Sequence, residues 1–353
     1  MSAQNDPLNM SLGYHAELAL HGGIAPPGTP NLPWNSRRAT DPPLVRPNLV
    51  TKILVFPARF NPIHDAHLTF LDHVFTRSGF DKDADFQAAI IYCMDDEHVE
   101  RDLEGRPLPQ PGRFLLELNR RQAVSYKLVE HNDRYWVWDY GDSNRFGHFI
   151  LDLRQRLHDR VGQGTRIELY ALVGPDELLP HRPDPRTWHC DHLITSNIAP
   201  GPNLLNEYIL PKRLPGCAGW TYYRDNFEPT VRETMGQRMA GRAAAEVARI
   251  VMDTQHSTYC LLEGVPGGQA KLVYIPHFPG KDGHAEARWD MSSTKIRVLI
   301  AEMRTSNQNH LSRNVAVLRA ARVSSLLATE LARLFNEGHL KWIVTFRGPG
   351  HGH

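Results

Sequence analysis

The chain has 353 residues, 41% of them hydrophobic, which suffices for one large α/β domain with additions. Its formal net charge is +1 and its 40 lysines and arginines are dispersed, so nucleic acid is not expected as a partner. Four scattered cysteines without a C-x-x-C pair indicate neither a zinc site nor a disulfide framework, and they fit a reducing compartment.

Residues 1–48 read as a Pro-rich N-terminal extension. Pro26-Pro27-Gly28-Thr29-Pro30, Pro42-Pro43 and Pro47 forbid a long helix or a central strand there, and partial disorder is expected for the first ten residues. Leu18, Leu20, Ile24 and Trp34 are its candidates for packing on a neighbouring surface. No apolar run reaches the length of a membrane span, and no basic stretch leads into an apolar core. No membrane partner and no secretory signal are therefore expected, and the default is an intracellular protein, cytoplasmic or nuclear.

The main domain is expected over 49–345. Lys52-Ile53-Leu54-Val55-Phe56 is an apolar, β-branched run of the kind found in buried parallel strands, predicting a strand over 51–57. Leu68, Phe70, Leu71, Val74 and Phe75 recur at helical spacing and predict a helix over 65–78. Phe86 to Cys93 is a second buried strand, followed by Asp95-Asp96-Glu97-His98 and a Pro/Gly-rich loop to Gly112. A helix over 113–130 turns Phe114, Leu115, Leu118, Val124 and Leu128 inward. Tyr135 to Trp138 is a short strand, Phe149, Ile150, Leu153 and Leu157 mark a helix, and Arg166 to Val173 is a strand running into Gly174-Pro175-Asp176. Residues 189–195 and 220–224 read as strands, 228–254 as a helix, and 258–262 and 271–275 as two β-like runs. About 226–280 reads as an insertion, a lid or contact surface. Ser292-Ser293 opens a helix carrying Ile296, Val298, Leu299 and Ile300; another covers 322–336, and 346–353 is a flexible tail. Strands alternating with helices predict an α/β fold: a Rossmann-like, doubly wound parallel sheet with helices on both faces and its ligand beyond the carboxyl ends of the strands.

One corner carries chemistry. After the first strand come Ala58-Arg59-Phe60-Asn61-Pro62-Ile63-His64-Asp65-Ala66-His67, where Asn61-Pro62 fits a turn and Asp65 suits a helix start. A helix mouth directs backbone N–H groups and a positive dipole end at one spot, which suits a phosphate. The spacing of His64 and His67 lets both imidazoles lie on one side of the first turn, facing the same anion. A lone H-x-x-H in a loop reads as two solvated histidines; the strand, turn and helix around this one favour the anion site.

This stretch resembles the phosphate-binding signature of the nucleotidyltransferase superfamily, G-x-F-N-P-x-H-x-G-H, and its F-N-P form looks most like nicotinamide or nicotinate mononucleotide adenylyltransferases. Far away in the chain, Met291-Ser292-Ser293-Thr294-Lys295-Ile296-Arg297 resembles the family's second signature, I-S-S-T-x-I-R. The resemblance implies transfer of AMP from ATP to the mononucleotide, giving NAD or its acid precursor and pyrophosphate. It implies small-molecule nucleotides as partners, Mg²⁺ arriving with ATP, and no metal-ligating side chains. It also implies catalytic roles for His64, His67 and Arg297, and ATP contacts from Phe60, Asn61, His64, His67, Ser293, Thr294 and Arg297. Gly174 and Asp176 would meet the ribose and adenosine part. Ala58, Arg59, Trp188 and Arg224 would face the acceptor, Trp188 by stacking on its ring. Beside these stand plainer readings: Arg297 as a surface helix arginine, Ser292 and Ser293 as a helix cap, Asp176 as a turn former and Trp188 as a core residue.

The sequence also departs from the family pattern. Ala58 stands where the family has Gly, Arg59 where a small Ser or Thr is usual, Ala66 in place of the Gly before the second histidine, and Trp289 in place of a small or amide residue. Arg59 either clamps an additional anionic group or fills the pocket. Segment 94–101 is acidic and lacks the expected lysines. The ATP half of the pattern is thus better preserved than the acceptor half. Two other readings stay open, a related nucleotidyltransferase with a different acceptor and a non-catalytic nucleotide-binding or chaperone-like protein, and so does self-association into a homo-oligomer.

Overall fold

The apolar run at 52–56 lies in the interior of the central sheet of the computed structural model, in β1 (Val50–Ala58). The structure describes residues 10–23, 25, 29, 31–36, 39–45, 47–77, 86–105, 114–140, 142–178, 184–198, 204, 211–223, 243–266, 269–277, 293–305, 311–320, 323–337 and 340–342. On one side β1 pairs in parallel with β2 (Phe86–Cys93), placing Val55 opposite Ile90. On the other side it pairs in parallel with β5 (Arg166–Leu172), placing Val55 opposite Ala171. β4 (Tyr135–Trp138) extends the sheet beyond β2, and β6 (His192–Thr195) and β9 (Lys271–Tyr274) extend it beyond β5, all in parallel. β8 (Thr258–Leu261) and β7 (Thr221–Tyr222) complete eight strands in antiparallel sense. The parallel strands, β4-β2-β1-β5-β6-β9, follow the 3-2-1-4-5-6 order of the doubly wound fold when numbered among themselves along the chain. The protein is a Rossmann-like α/β protein with a mixed, mostly parallel sheet.

Alternation along the strands builds two cores. Leu54, Phe56, Ala89 and Ile91 face one side, where α2 (Asp65–Thr76), α4 (Leu118–Val129), α8 (Ser293–Thr305), α9 (Leu311–Ala320) and α10 (Ser325–Asn336) pack. Ile53, Val55, Ala88 and Ile90 face the other, covered by α1 (Leu12–His21) and α5 (Ser143–Val161). Central strands buried on both faces need no polar alternation, which is why their sequences are continuously apolar. Among the described residues no helix is long and apolar enough to cross a membrane.

Several elements differ from expectation. The described part of the N-terminal extension packs more deeply than a surface contact, with Leu12, Ala16, Trp34 and Val45 in the core on the α5 side. Ser11 accepts from the Tyr14 N–H, Gly22 closes α1 at φ 67°, and the helix ends before the prolines begin. Trp34 is fully buried and donates its indole N–H to the Ala89 carbonyl in β2. Residues 1–9 lie outside the described residues. The expected loop after β2 contains α3 (Asp96–Gly105), opened by Asp95, whose carboxylate accepts from the His98 N–H. Only Val99 and Leu103 of α3 join a core cluster, too short an apolar pattern to show in the sequence. The helix expected over 113–130 divides: β3 (Phe114–Leu116) pairs with β10 (Leu340–Trp342), a partner that local periodicity does not reveal, and α4 starts at Leu118.

The strand expected from His189 starts only at His192, because Pro185–Trp188 is a 3-10 turn closed by His189 at φ 54°. Of the strand expected over 220–224, β7 is strand among the described residues and Arg224 lies outside them. In the stretch read as an insertion, α7 (Ala244–Gln255) precedes β8 and β9; the two strands are built into the central sheet rather than laid over it. Residues 228–242 and the tail 346–353 lie outside the described residues.

Candidate functional site

The corner between β1 and α2 lies beyond the carboxyl end of β1. Ala58 ends the strand, and its carbonyl accepts from the Met94 N–H just past β2. Phe60 then turns the chain at φ 44°, with its ring buried edge-on against Phe56 at 5.0 Å and His67 at 5.2 Å. Asn61 is the hub of the turn. Its side-chain carbonyl accepts from the Leu116 N–H at 2.9 Å, and its backbone carbonyl accepts from Arg297 Nη1 at 2.7 Å. Asn61 thus spends its amide oxygen on β3 and serves as a strut.

His64 is the N-cap of α2 and His67 lies in its first turn. Their rings stack 3.8 Å apart at 30°, and the His64 N–H donates to His67 Nδ1 at 3.2 Å. That bond leaves the proton of a neutral His67 on Nε2, where it is a donor. His64 is held well below the ordinary imidazole value, first by burial, then by His67 and by Arg297. Burial lowers His67 to about 4. Near neutral pH both rings are uncharged hydrogen-bonding groups, and Arg297 brings a positive charge to them. His64 Nδ1 is buried without a hydrogen-bond partner. Leaving such an atom unsatisfied costs about 1–3 kcal/mol, a cost tolerated where a ligand completes the site. Arg297 is buried on α8, so the plain reading of it as a surface helix arginine does not hold. The hydrogen bond to Asn61 and the electrostatic effect on His64 bring the two distant signatures together.

Gly174 sits past the end of β5, the strand beside β1. A Cβ there would lie 2.4 Å from Asp176 Oδ1, so only glycine leaves that carboxylate its position. Asp176 is exposed in the short α6 (Pro175–Leu178), at the same sheet edge as the histidine corner. Their two strands flank the point where strand order reverses, which is where ligands bind in such sheets.

The acceptor half is brought together less. Arg59 is half-buried, and its carbonyl is tied down by Arg121. Trp188 packs half-buried against the core on the α5 side. Arg224, Trp289 and Ser292 lie outside the described residues; Ser293 and Thr294 form the first turn of α8.

Arg121 is the residue that sequence reasoning missed. Fully buried, it donates to the carbonyls of Leu116, Arg59 and Met94 at 2.8, 2.8 and 2.6 Å, and to Asp96 Oδ1 at 2.6 Å. One guanidinium therefore fixes the corner, the end of β2, β3 and α3. The signal was an arginine within the apolar stripe of α4, spaced with Leu118, Val124 and Leu128. A separate cleft of about 770 Å³ borders the amino end of β5 and is lined by Arg154, Arg166, Asp191 and His192. Its charges are largely matched, Arg154 to Asp191 at 2.5 Å and His192 to Glu168 at 3.6 Å.

Fold and corner define the class: a Rossmann-like α/β protein whose His64–His67 pair and Arg297 gather at the switch point of its sheet. No protein-family model matches the chain, and no curated protein matches it. Among solved structures, the nicotinic acid mononucleotide adenylyltransferase of Plasmodium falciparum, complexed with APC, is similar at 12% identity and a TM-score of 0.22. The match covers 41% of this chain and 63% of that one. At that level the likeness carries no weight in the functional reading.

Proposed function

We propose that this protein is a nucleotidyltransferase that moves AMP from ATP to the phosphate of nicotinamide or nicotinate mononucleotide. The observation that carries the reading is the meeting of Arg297 with the stacked His64–His67 pair at the mouth of α2. In this reaction an acceptor phosphate oxygen bonds to the α-phosphorus of ATP, the α–β phosphoanhydride bond breaks, and pyrophosphate leaves with the electron pair. The nucleophile is already anionic, so the protein needs no nucleophile of its own; it must hold two polyanions together and stabilise developing charge. The helix mouth and the imidazoles donate to phosphate oxygens, and the Arg297 guanidinium offsets charge on the leaving pyrophosphate. The donor set at the corner is mainly nitrogen. Mg²⁺ prefers oxygen and water, which fits an ion that arrives on the triphosphate and neutralises part of its charge.

A second reading, the same transfer to another phosphate-bearing acceptor, draws on Arg59, a cation at the acceptor position. Pyrophosphate release with ATP and a panel of mononucleotides distinguishes the two. Arg297→Ala and His67→Ala should each lower turnover by roughly 10²–10³-fold while the far-UV spectrum stays unchanged. Normal turnover in both variants, or none in the wild type with any acceptor, would overturn the assignment.

A further inference from the structure

Beyond the corner, α2 carries a second buried histidine that the proposed transfer does not use. His73 faces Asp253 near the end of α7 and His277 just past β9, and one ligand atom from each lies within 4.8 Å of the others. His73 and Asp253 are buried and His277 is half-buried. The two rings stand 5.3 Å apart at 84°. His73 Nε2 is enclosed with no hydrogen-bond partner. The carbonyls of Pro276 and Ile275 favour a proton on the ring, and with Nε2 unpartnered that proton belongs on Nδ1. Nε2 is then left with its lone pair, enclosed beside the cluster. We infer that His73, Asp253 and His277 form a binding site for a zinc-class divalent cation, which pins α2 to α7 and to the end of β9.

The chemistry selects that class. Two imidazole nitrogens and one carboxylate suit zinc and its neighbours, whereas magnesium and calcium call for oxygen. Each ligand is held by a second group, as in built metal sites. Arg77 Nε donates to Asp253 Oδ2 at 2.7 Å, which orients the carboxylate. Asn197 clamps the His277 backbone, its Oδ1 accepting from the N–H at 2.6 Å and its Nδ2 donating to the carbonyl at 3.0 Å. The carbonyls behind His73 complete the set. Two imidazoles and one carboxylate leave a fourth position for water on a tetrahedral ion.

The site stands apart from nucleotidyl transfer, and so does its test. Full-length protein stripped with chelator and titrated with Co²⁺ should take up one tight equivalent with the visible absorption of a four- or five-coordinate ion, displaceable by Zn²⁺. Zn²⁺ should also raise the unfolding temperature. His73→Gln and His277→Ala, each verified as folded by circular dichroism, should weaken binding at least 10-fold. His277→Cys should restore it, with a new thiolate-to-cobalt band. Absence of a tight equivalent in the wild type overturns the site. Equal binding by the folded His73→Gln and His277→Ala proteins also overturns it, because the metal then sits on other histidines.

Discussion

At the scale of single residues the histidine pair of the corner is held uncharged. Burial, then His67 and Arg297, keep His64 neutral, and burial does the same for His67. This has a measurable cost in acid. Between about pH 4 and 6.5 the unfolded chain takes up a proton that folded His67 refuses, so its contribution to stability is complete above that window and lost as pH falls through it. His64 acts in the same sense. Urea midpoints measured across this range should fall with acidity, and His67→Gln should flatten the slope. Arg121 is the residue on which the corner's shape depends. Arg121→Met strands the carbonyls of Leu116, Arg59 and Met94 in a buried setting, and the expected loss is about 3 kcal/mol by urea unfolding.

At the scale of elements, the turn between β5 and α6 makes a prediction of its own. Gly174→Ala should push the Asp176 carboxylate aside, weakening ATP binding severalfold in calorimetry with little change in unfolding temperature. In an Asp176→Ala background the same substitution should cost almost nothing further, which a double-mutant cycle would show. Elements held by their own pattern were legible in the sequence. β1, β2 and β5 read as strands because both faces are buried, and the strand, turn and helix of the histidine corner likewise announced themselves locally. Elements held by distant partners were not. Phe114–Leu116 has helix-compatible neighbours and becomes a strand only because Leu340–Trp342 pairs with it. Asn61 is a strut and Arg121 a clamp because of groups far away in the chain, which no local spacing encodes.

At the scale of the whole molecule, the described residues between 10 and 45 cover one face of the sheet. Trp34 meets the Trp136 ring at 5.3 Å, and α1 packs on α5. Trp34→Ala should cost about 3–5 kcal/mol, seen as a lower urea midpoint, and removing residues 1–45 should yield a chain that fails to unfold cooperatively. The proline content that made this segment read as an appendage reflects its irregular path over the sheet. A different consequence follows from the Arg297–Asn61 hydrogen bond, which joins residues 236 positions apart. At about 5–20 residues per second a ribosome needs roughly 12–47 s to make the intervening chain. Throughout that interval the nascent polypeptide carries its paired histidines without Arg297, so the corner cannot close until that later segment has been made.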